Sequence, residues 1–498
     1  MKGFGFGTQK GRAAQFILLG LGFLALSLSG CDLAPKYDPP ALLTPIPASY
    51  ASAGPFQPAT PMDTLPRGPW WEAYHDPLLN RLVARLNVAN PTLSAAVANY
   101  DAARAYVAQV NANLFPFFIG SGWNYSIQQS QQRPLRIPGI FPNQYGDNVL
   151  ALQSTYEFDL WNQIHNRIAS AQASAQATAA DLANVQLSLQ ANLVNDYIVL
   201  RSYDAQIKLL NDTVTAYASN LRLVRDRFEG KIASGIDLAQ AQYLYDGANA
   251  LRTQTIAQRA LIEHAIASLV GEPASSFSIP PSPVLPQVPV IPTGVPSTLL
   301  QRRPDIVAAE RAVAAANQQI GVARSAFFPA LTLTAMGGFE NNGAANLISL
   351  PLSFWTVGPN YILPLFEGGL RHAELAGAYA QYRATAAQYR ATVLAAFQQV
   401  EDEMSLLNNL AVALQQQKAT AADAEHYTRL ATDSFIEGAS NYLDVNVAET
   451  EALGAELQAI IIAQQQLQAS VRLFEALGGG WSVQDLPTPR QVTDYSAQ

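Results

Sequence analysis

The chain holds a single cysteine in 498 residues, which excludes an intrachain disulfide framework and any cysteine-cluster zinc site. Charge is also scarce. Asp, Glu, Lys and Arg make up 14% of the residues, against about 25% in an ordinary soluble protein. The balance is acidic, with a formal charge of −8, so the basic footprint of a nucleic-acid-binding protein is missing. Beyond the N-terminus there is no apolar run of about 18 residues, which argues against a bundle of membrane-spanning helices. The five histidines, His75, His165, His264, His372 and His426, form no HExxH pair, and GxSxG, Walker and GxGxxG stretches are absent. No enzymatic activity, metal or cofactor is expected. What is abundant is apolar: 49% of residues are aliphatic, aromatic or cysteine. That is enough for a large folded body and too much for a disordered chain.

The lone cysteine has a telling neighbourhood. Lys2, Lys10 and Arg12 precede the apolar stretch 13–28, and the small residues Ser29 and Gly30 lead into Cys31. This is an export signal, and its LSGC ending resembles the bacterial lipobox. That resemblance implies cleavage before Cys31 and acylation of its thiol and new amine. Several acyl chains anchor firmly where one is marginal. Loss of residues 1–30 removes three positive charges and deepens the formal charge from −8 to −11.

The body reads as a tandem duplication. At an offset near 207 residues, Gly271 matches Gly478, Phe228 matches Phe435, and GIDLAQA (235–241) matches YLDVNVA (442–448). Upstream the offset widens to 213: NLFPFF (113–118) parallels SAFFPA (325–330), and Asn90-Pro91 parallels Arg303-Pro304. The extra residues of the first copy fall within 128–146. Between the copies, residues 273–296 contain eight prolines, which forbids a helix or central strand and predicts an extended strap.

Each copy contains a very long helix. Residues 162–229 have no Gly or Pro, and 370–437 have only Gly377. At 1.5 Å per residue such helices run about 100 Å, some three bilayer cores. Leu200, Tyr203, Ile207, Leu210, Val214, Tyr217, Leu221, Val224 and Phe228 alternate by three and four, a coiled-coil rhythm. Gly230, Gly235 and Gly438 punctuate turns into return helices at about 236–270 and 443–477. The polar faces of these hairpins suit water.

Ahead of each long helix lie two strand-like stretches: 115–127 and 149–160, then 327–339 and 353–366. They are long enough to cross an outer membrane as β-strands. Phe115, Phe117, Trp123, Tyr125, Trp355 and Tyr361 would suit aromatic girdles. Four strands cannot close, and open edges are not tolerated in lipid. Two chains would give eight strands, too narrow for a passage, whereas three give twelve.

Several motifs now carry a resemblance. After the lipobox come CDLAPKYDPP, WWEAYHDPLLNRLV (70–83), YEFDLWNQ (156–163) and QRRPDIVAAERAVAAANQQIGVARSAFFPALTL (301–333). LPLFEGGL (363–370), NYLDV (441–445) and FEALGGGW (474–481) follow. In this order and spacing the chain resembles the outer membrane factors, the TolC-like family, in its NodT-type lipoprotein branch. The resemblance implies an α+β membrane protein, with coiled-coil hairpins forming a periplasmic tunnel and four strands per chain in a shared twelve-stranded trimeric barrel. It implies a homotrimeric channel in outer-membrane lipid that works with a periplasmic adaptor protein and an inner-membrane transporter in efflux or type I-like export.

On this reading residues 1–30 are the signal peptide, 31–69 a lipidated extended segment, 70–272 the first repeat, 273–296 the linker, 297–480 the second repeat and 481–498 a tail. The natural constriction is the free end of the hairpins. The family places an acidic ring there, and NYLDV puts its first acid on Asp444, with Leu443 beside it as an apolar plug. Three residues on, where the family has a second acid, this chain has Val447. Asp237 is the duplicate of Asp444, and suits helix N-capping after Gly235 as well as the aperture; Asp444 suits both roles too. Two other architectures compete. A periplasmic adaptor also carries a long hairpin, but without this duplication. A structural envelope lipoprotein would explain the helices and Cys31, but not the symmetric strands.

Overall fold

The computed structural model describes residues 32–42, 45–47, 49–51, 69–120, 124–129, 144–291, 302–341 and 348–494, with side chains left aside at 124–129 and 144–147. Cys31, and so the lipidation expectation, lies outside the described residues, as does most of the connection at 130–143.

The elements run in two similar rounds. The first comprises α1 (Pro77–Ala89), α2 (Pro91–Asn111), β1 (Phe117–Gly120), β2 (Asn124–Gln129), β3 (Gln144–Phe158), α3 (Gln163–Glu229) and α4 (Gly235–Leu269). The second comprises α5 (Pro304–Ser325), β4 (Ala330–Asn341), β5 (Ser353–Ile362), α6 (Leu370–Ile436) and α7 (Tyr442–Ala476), and α8 (Pro489–Thr493) follows. The two long helices have 67 residues each and the two return helices 35 each. The expected stretch 115–127 divides into β1 and β2, which lie in line along one edge of β3. β3 begins at Gln144, five residues earlier than its alternation suggested, and ends at Phe158. Asp159 then leaves the strand to cap α3. Its carboxylate accepts from the backbone N–H of Ile164 at 3.0 Å and of His165 at 2.9 Å, and meets the His165 ring at 2.6 Å.

All sheet pairings are antiparallel, in the order β1/β2, β3, β4, β5. The helical core sits midway along α3. There Leu193, Val194, Tyr197, Ile198 and Leu200 meet Leu79, Val83 and Leu86 of α1 and Val471 of α7. Residues 273–291 of the proline-rich strap lie extended across this core, with a short turn at Ala274–Ser276, and bury Ile279. Its backbone is held by charge: Asp204 accepts from the Ser282 N–H at 2.9 Å, and Arg201 and Arg259 donate to the carbonyls of Pro280 and Ile279.

The duplication appears in atomic detail. Gly271 and Gly478 hold φ of +74° and +87° just past their return helices. A Cβ on Gly271 would lie 2.4 Å from the Ala89 carbonyl oxygen, and one on Gly478 would lie 2.1 Å from that of Arg302. Each return helix thus ends against the start of its own copy's helix, α2 or α5. Asn90 donates to the Leu269 carbonyl at 2.8 Å, and Arg303 to the Ala476 carbonyl at 3.1 Å. Different side chains satisfy the same orphan carbonyls at helix C-termini.

Candidate functional site

The two hairpins end side by side, and their contact is apolar. Leu221 and Val224 of α3, Ala241 of α4, Ala431 and Phe435 of α6, and Tyr442, Val445 and Ala448 of α7 form one buried cluster. Leu221 and Val224 are seam positions of the heptad rhythm. Arg227 of α3 crosses this contact to the last turn of α6.

Gly230 and Gly438 stand in the turns as expected. Gly230 has φ of −72°, and the left-handed residue of the first turn is Lys231, at +59°. Its duplicate is Gly438, at +78°. The helix starts differ from expectation. Ser234 and Asn441 are the N-caps, and the two acids stand three residues later. Asp237 completes a capping box: its N–H donates to the Ser234 hydroxyl at 3.2 Å, and its carboxylate accepts from the Ser234 N–H at 2.8 Å. At Asp444 only the backbone is engaged, with its N–H donating to the Asn441 side chain at 3.3 Å. Asp444 is exposed, as are Leu443, at 50%, and Val447. The structure therefore separates the duplicates. One acid is used up in the turn, and the other is free on the surface.

Behind this exposed face stands a residue that sequence reading passed over. Glu449 of α7 is 6% exposed. The Asn220 amide of α3 donates to its carboxylate, and the Tyr217 hydroxyl of α3 donates to its backbone carbonyl at 3.1 Å. Burial pushes its pKa up to about 7, against the smaller lowering effect of the Asn220 bond. Arg227, Asn220 and Asn441 were likewise not singled out. The duplication carried a signal for Asn441 alone, since it matches Ser234.

At the other end, among the described residues, β1/β2 pair only with β3 and β5 only with β4, so both outer edges are open. Of the expected girdle aromatics, Phe115, Phe117, Trp355 and Tyr361 are 63–81% exposed, while Trp123 and Tyr125 lie outside the described side chains. No described helix is long and apolar enough to cross a membrane. The N-terminal segment follows α5 and α6. Arg324, one residue before the end of α5, donates to the Leu33 carbonyl at 3.0 Å, and Glu401 accepts from the Ala51 N–H at 2.7 Å. Asp32 therefore lies near the junction between helices and strands.

An open antiparallel sheet with exposed aromatics, continued by helical hairpins about 100 Å long, is the plan of an outer-membrane channel subunit. The chain belongs to the outer membrane efflux protein family, whose profile matches residues 82–272 and 295–479. The antibiotic efflux pump outer membrane protein ArpC of Pseudomonas putida is 30% identical over 473 residues, covering 93% of this chain and 96% of its own. The toluene efflux pump outer membrane protein TtgF of the same species is 32% identical over 466 residues, covering 92% and 96%. The solved outer-membrane channel OprN matches with a TM-score of 0.80 at 28% identity, over 91% of this chain and 100% of its own. The fold class is that of these channels, a helical tunnel joined to strands given to a shared trimeric barrel. The chain is an outer-membrane efflux channel, and its hairpins form the large periplasmic part.

Proposed function

We propose that three identical copies close the barrel with twelve strands and pass small toxic compounds outward, drawn through a periplasmic adaptor from an inner-membrane transporter. The observation that carries this is the pair of open sheet edges. A sheet of this width has no stable place in lipid until other copies cover both edges, and twelve strands leave a passage where eight do not. The names of the relatives, for antibiotic and toluene efflux, support small organic cargo. Passage, not catalysis, is the work done. Acylated Cys31 adds a second anchor at the inner leaflet, an arrangement that fits the placement of Asp32 near the junction between helices and strands.

The periplasmic aperture is formed by Leu443 and Asp444, three of each around one axis, with Asp237 serving the turn behind it. Like charges in one narrow opening repel, attract cations and make the ring loosen when a partner spreads the helices. The test is the native mass and heat-modifiability of protein extracted from isolated outer membranes. The expected result is a trimer that conducts ions in planar bilayers. A monomer, or a trimer without conductance, overturns the proposal. A deletion strain challenged with antibiotics, solvents and dyes identifies the cargo.

A further inference from the structure

Glu449 stands at a mechanically sensitive place. It lies five residues beyond Asp444 on α7, on the side turned to the other hairpin, and one carboxylate oxygen is buried with no hydrogen-bond partner. The other receives the Asn220 amide of α3. The copies differ here, since the duplicate of Glu449 is Gln242, whose amide bonds Asp246 within its own helix at 2.9 Å. At this position the second copy alone carries an ionisable group, and the first copy's residue bonds within its own helix.

We propose that Glu449 is a proton-operated latch between the two hairpins of each subunit, holding them together when protonated and loosening them when ionised. An unpaired carboxylate oxygen in a buried contact is costly, and a protonated carboxyl much less so. Separating the hairpins returns the group to water, where it ionises freely. The groups around it leave this balance to burial. From α3 come Tyr217 and Asn220. α7 itself supplies Tyr442, and α6 supplies Thr428, which donates to the Ala448 carbonyl at 2.9 Å. From α4, Tyr245 borders the cluster and Asp237 acts on Tyr442. The nearby ion pair of Glu425 and Arg429 on α6 is 63% and 58% exposed, and Glu425 acts on Glu456 instead. Burial is the leading cause of the raised pKa, and the only opposing one is the Asn220 bond.

The sign follows from this. The packed hairpins favour the protonated form, so packing is strongest in acid and is progressively lost as pH rises from about 4.5 through about 7. Across that window the packing equilibrium shifts on the order of a hundredfold. The aperture reading enters only through conductance; the hairpin distance stands without it.

Spin labels at the exposed Ser219 and Glu451 of the full-length protein measure that distance. The separated population should grow as pH rises from about 4.5 to about 7, in otherwise native protein. The Glu449→Gln protein should hold the packed distance at every pH, and its resting conductance should lose the pH-dependent rise. A wild-type distance that does not change between pH 5 and 9, or a Glu449→Gln protein that keeps the wild-type profile, overturns the latch. A pH-dependent distance with flat conductance keeps the latch and moves the constriction away from Leu443 and Asp444. If Glu449→Gln fails to assemble, the wild-type distance profile alone decides.

Discussion

The guanidinium of Arg227, near the end of α3, lies 4.5 Å from the centre of the Phe435 ring on α6. It also donates to the carbonyls of Phe435 and Ile436 at 3.1 Å each. These are last-turn carbonyls, beyond the regular bonding of the helix; the Phe435 carbonyl also accepts from the Gly438 N–H at 3.2 Å in its own turn, and Arg227 adds a bond from the other hairpin. A cation there also complements the negative end of the helix dipole.

Arg227→Ala removes two charged hydrogen bonds and a cation–π contact, together worth about 1–3 kcal/mol per chain at a partly exposed site. The hairpin tips should become protease-sensitive and resting conductance should rise, while trimers still form. Lysine at 227 should rescue only in part, because it lacks the fork that reaches both carbonyls. Limited proteolysis of the assembled protein reads this directly.

Lys231 holds the left-handed turn position that Gly438 holds in the second copy. For a residue with a Cβ this conformation costs about 1–2 kcal/mol. Lys231→Gly should raise the thermal midpoint slightly despite the added freedom of the unfolded chain, and leave conductance unchanged. A lowered midpoint would show that the lysine side chain makes a stabilising contact in the trimer.

Because Asn441 is the cap, the acid and the cap can be separated. Asn441→Ala should cost about 0.5–2 kcal/mol of helix stability with ion preference unchanged. Asp444→Ala should lower cation preference and raise resting conductance with no such cost, and Leu443→Ala should raise conductance with less effect on selectivity. Wild-type recordings from both aperture mutants would place the constriction elsewhere.

Asp204 is paired with Arg201 at 2.8 Å and Arg259 at 2.7 Å, and its side chain is 1% exposed. Asp204→Ala leaves the buried Arg201 without its counter-charge, leaves Arg259 with Glu263 alone, at 2.9 Å, and frees the strap at Ser282. About 3–5 kcal/mol of stability should be lost, with cleavage appearing within 273–291. Asp204→Leu should behave similarly, since it restores volume but not charge.

Much of this architecture is written along the chain. Absence of Gly and Pro over two stretches, with apolar residues every three and four positions, leaves the backbone only the long helix as a solution. The eight prolines of 273–296 forbid a long helix or a central strand and leave a largely extended strap. The match between copies was legible at Gly271 and Gly478, which answer the same backbone need with a positive φ.

Other features belong to the tertiary structure. Whether an acid after a turn is a cap or a free charge depends on the residue three positions before it and on what each side chain then reaches. Asp237 closes a box with Ser234, whereas Asn441 leaves the Asp444 carboxylate free. Arg227, Asn220 and Glu449 look like ordinary members of solvated helix faces. Only the packing of α3 against α6 and α7, between residues more than 200 positions apart, turns them inward and gives one carboxylate an environment that water never would. Periodicity determined the elements, and the contacts between hairpins decided which polar residues are structural, which are exposed and which can respond to a proton.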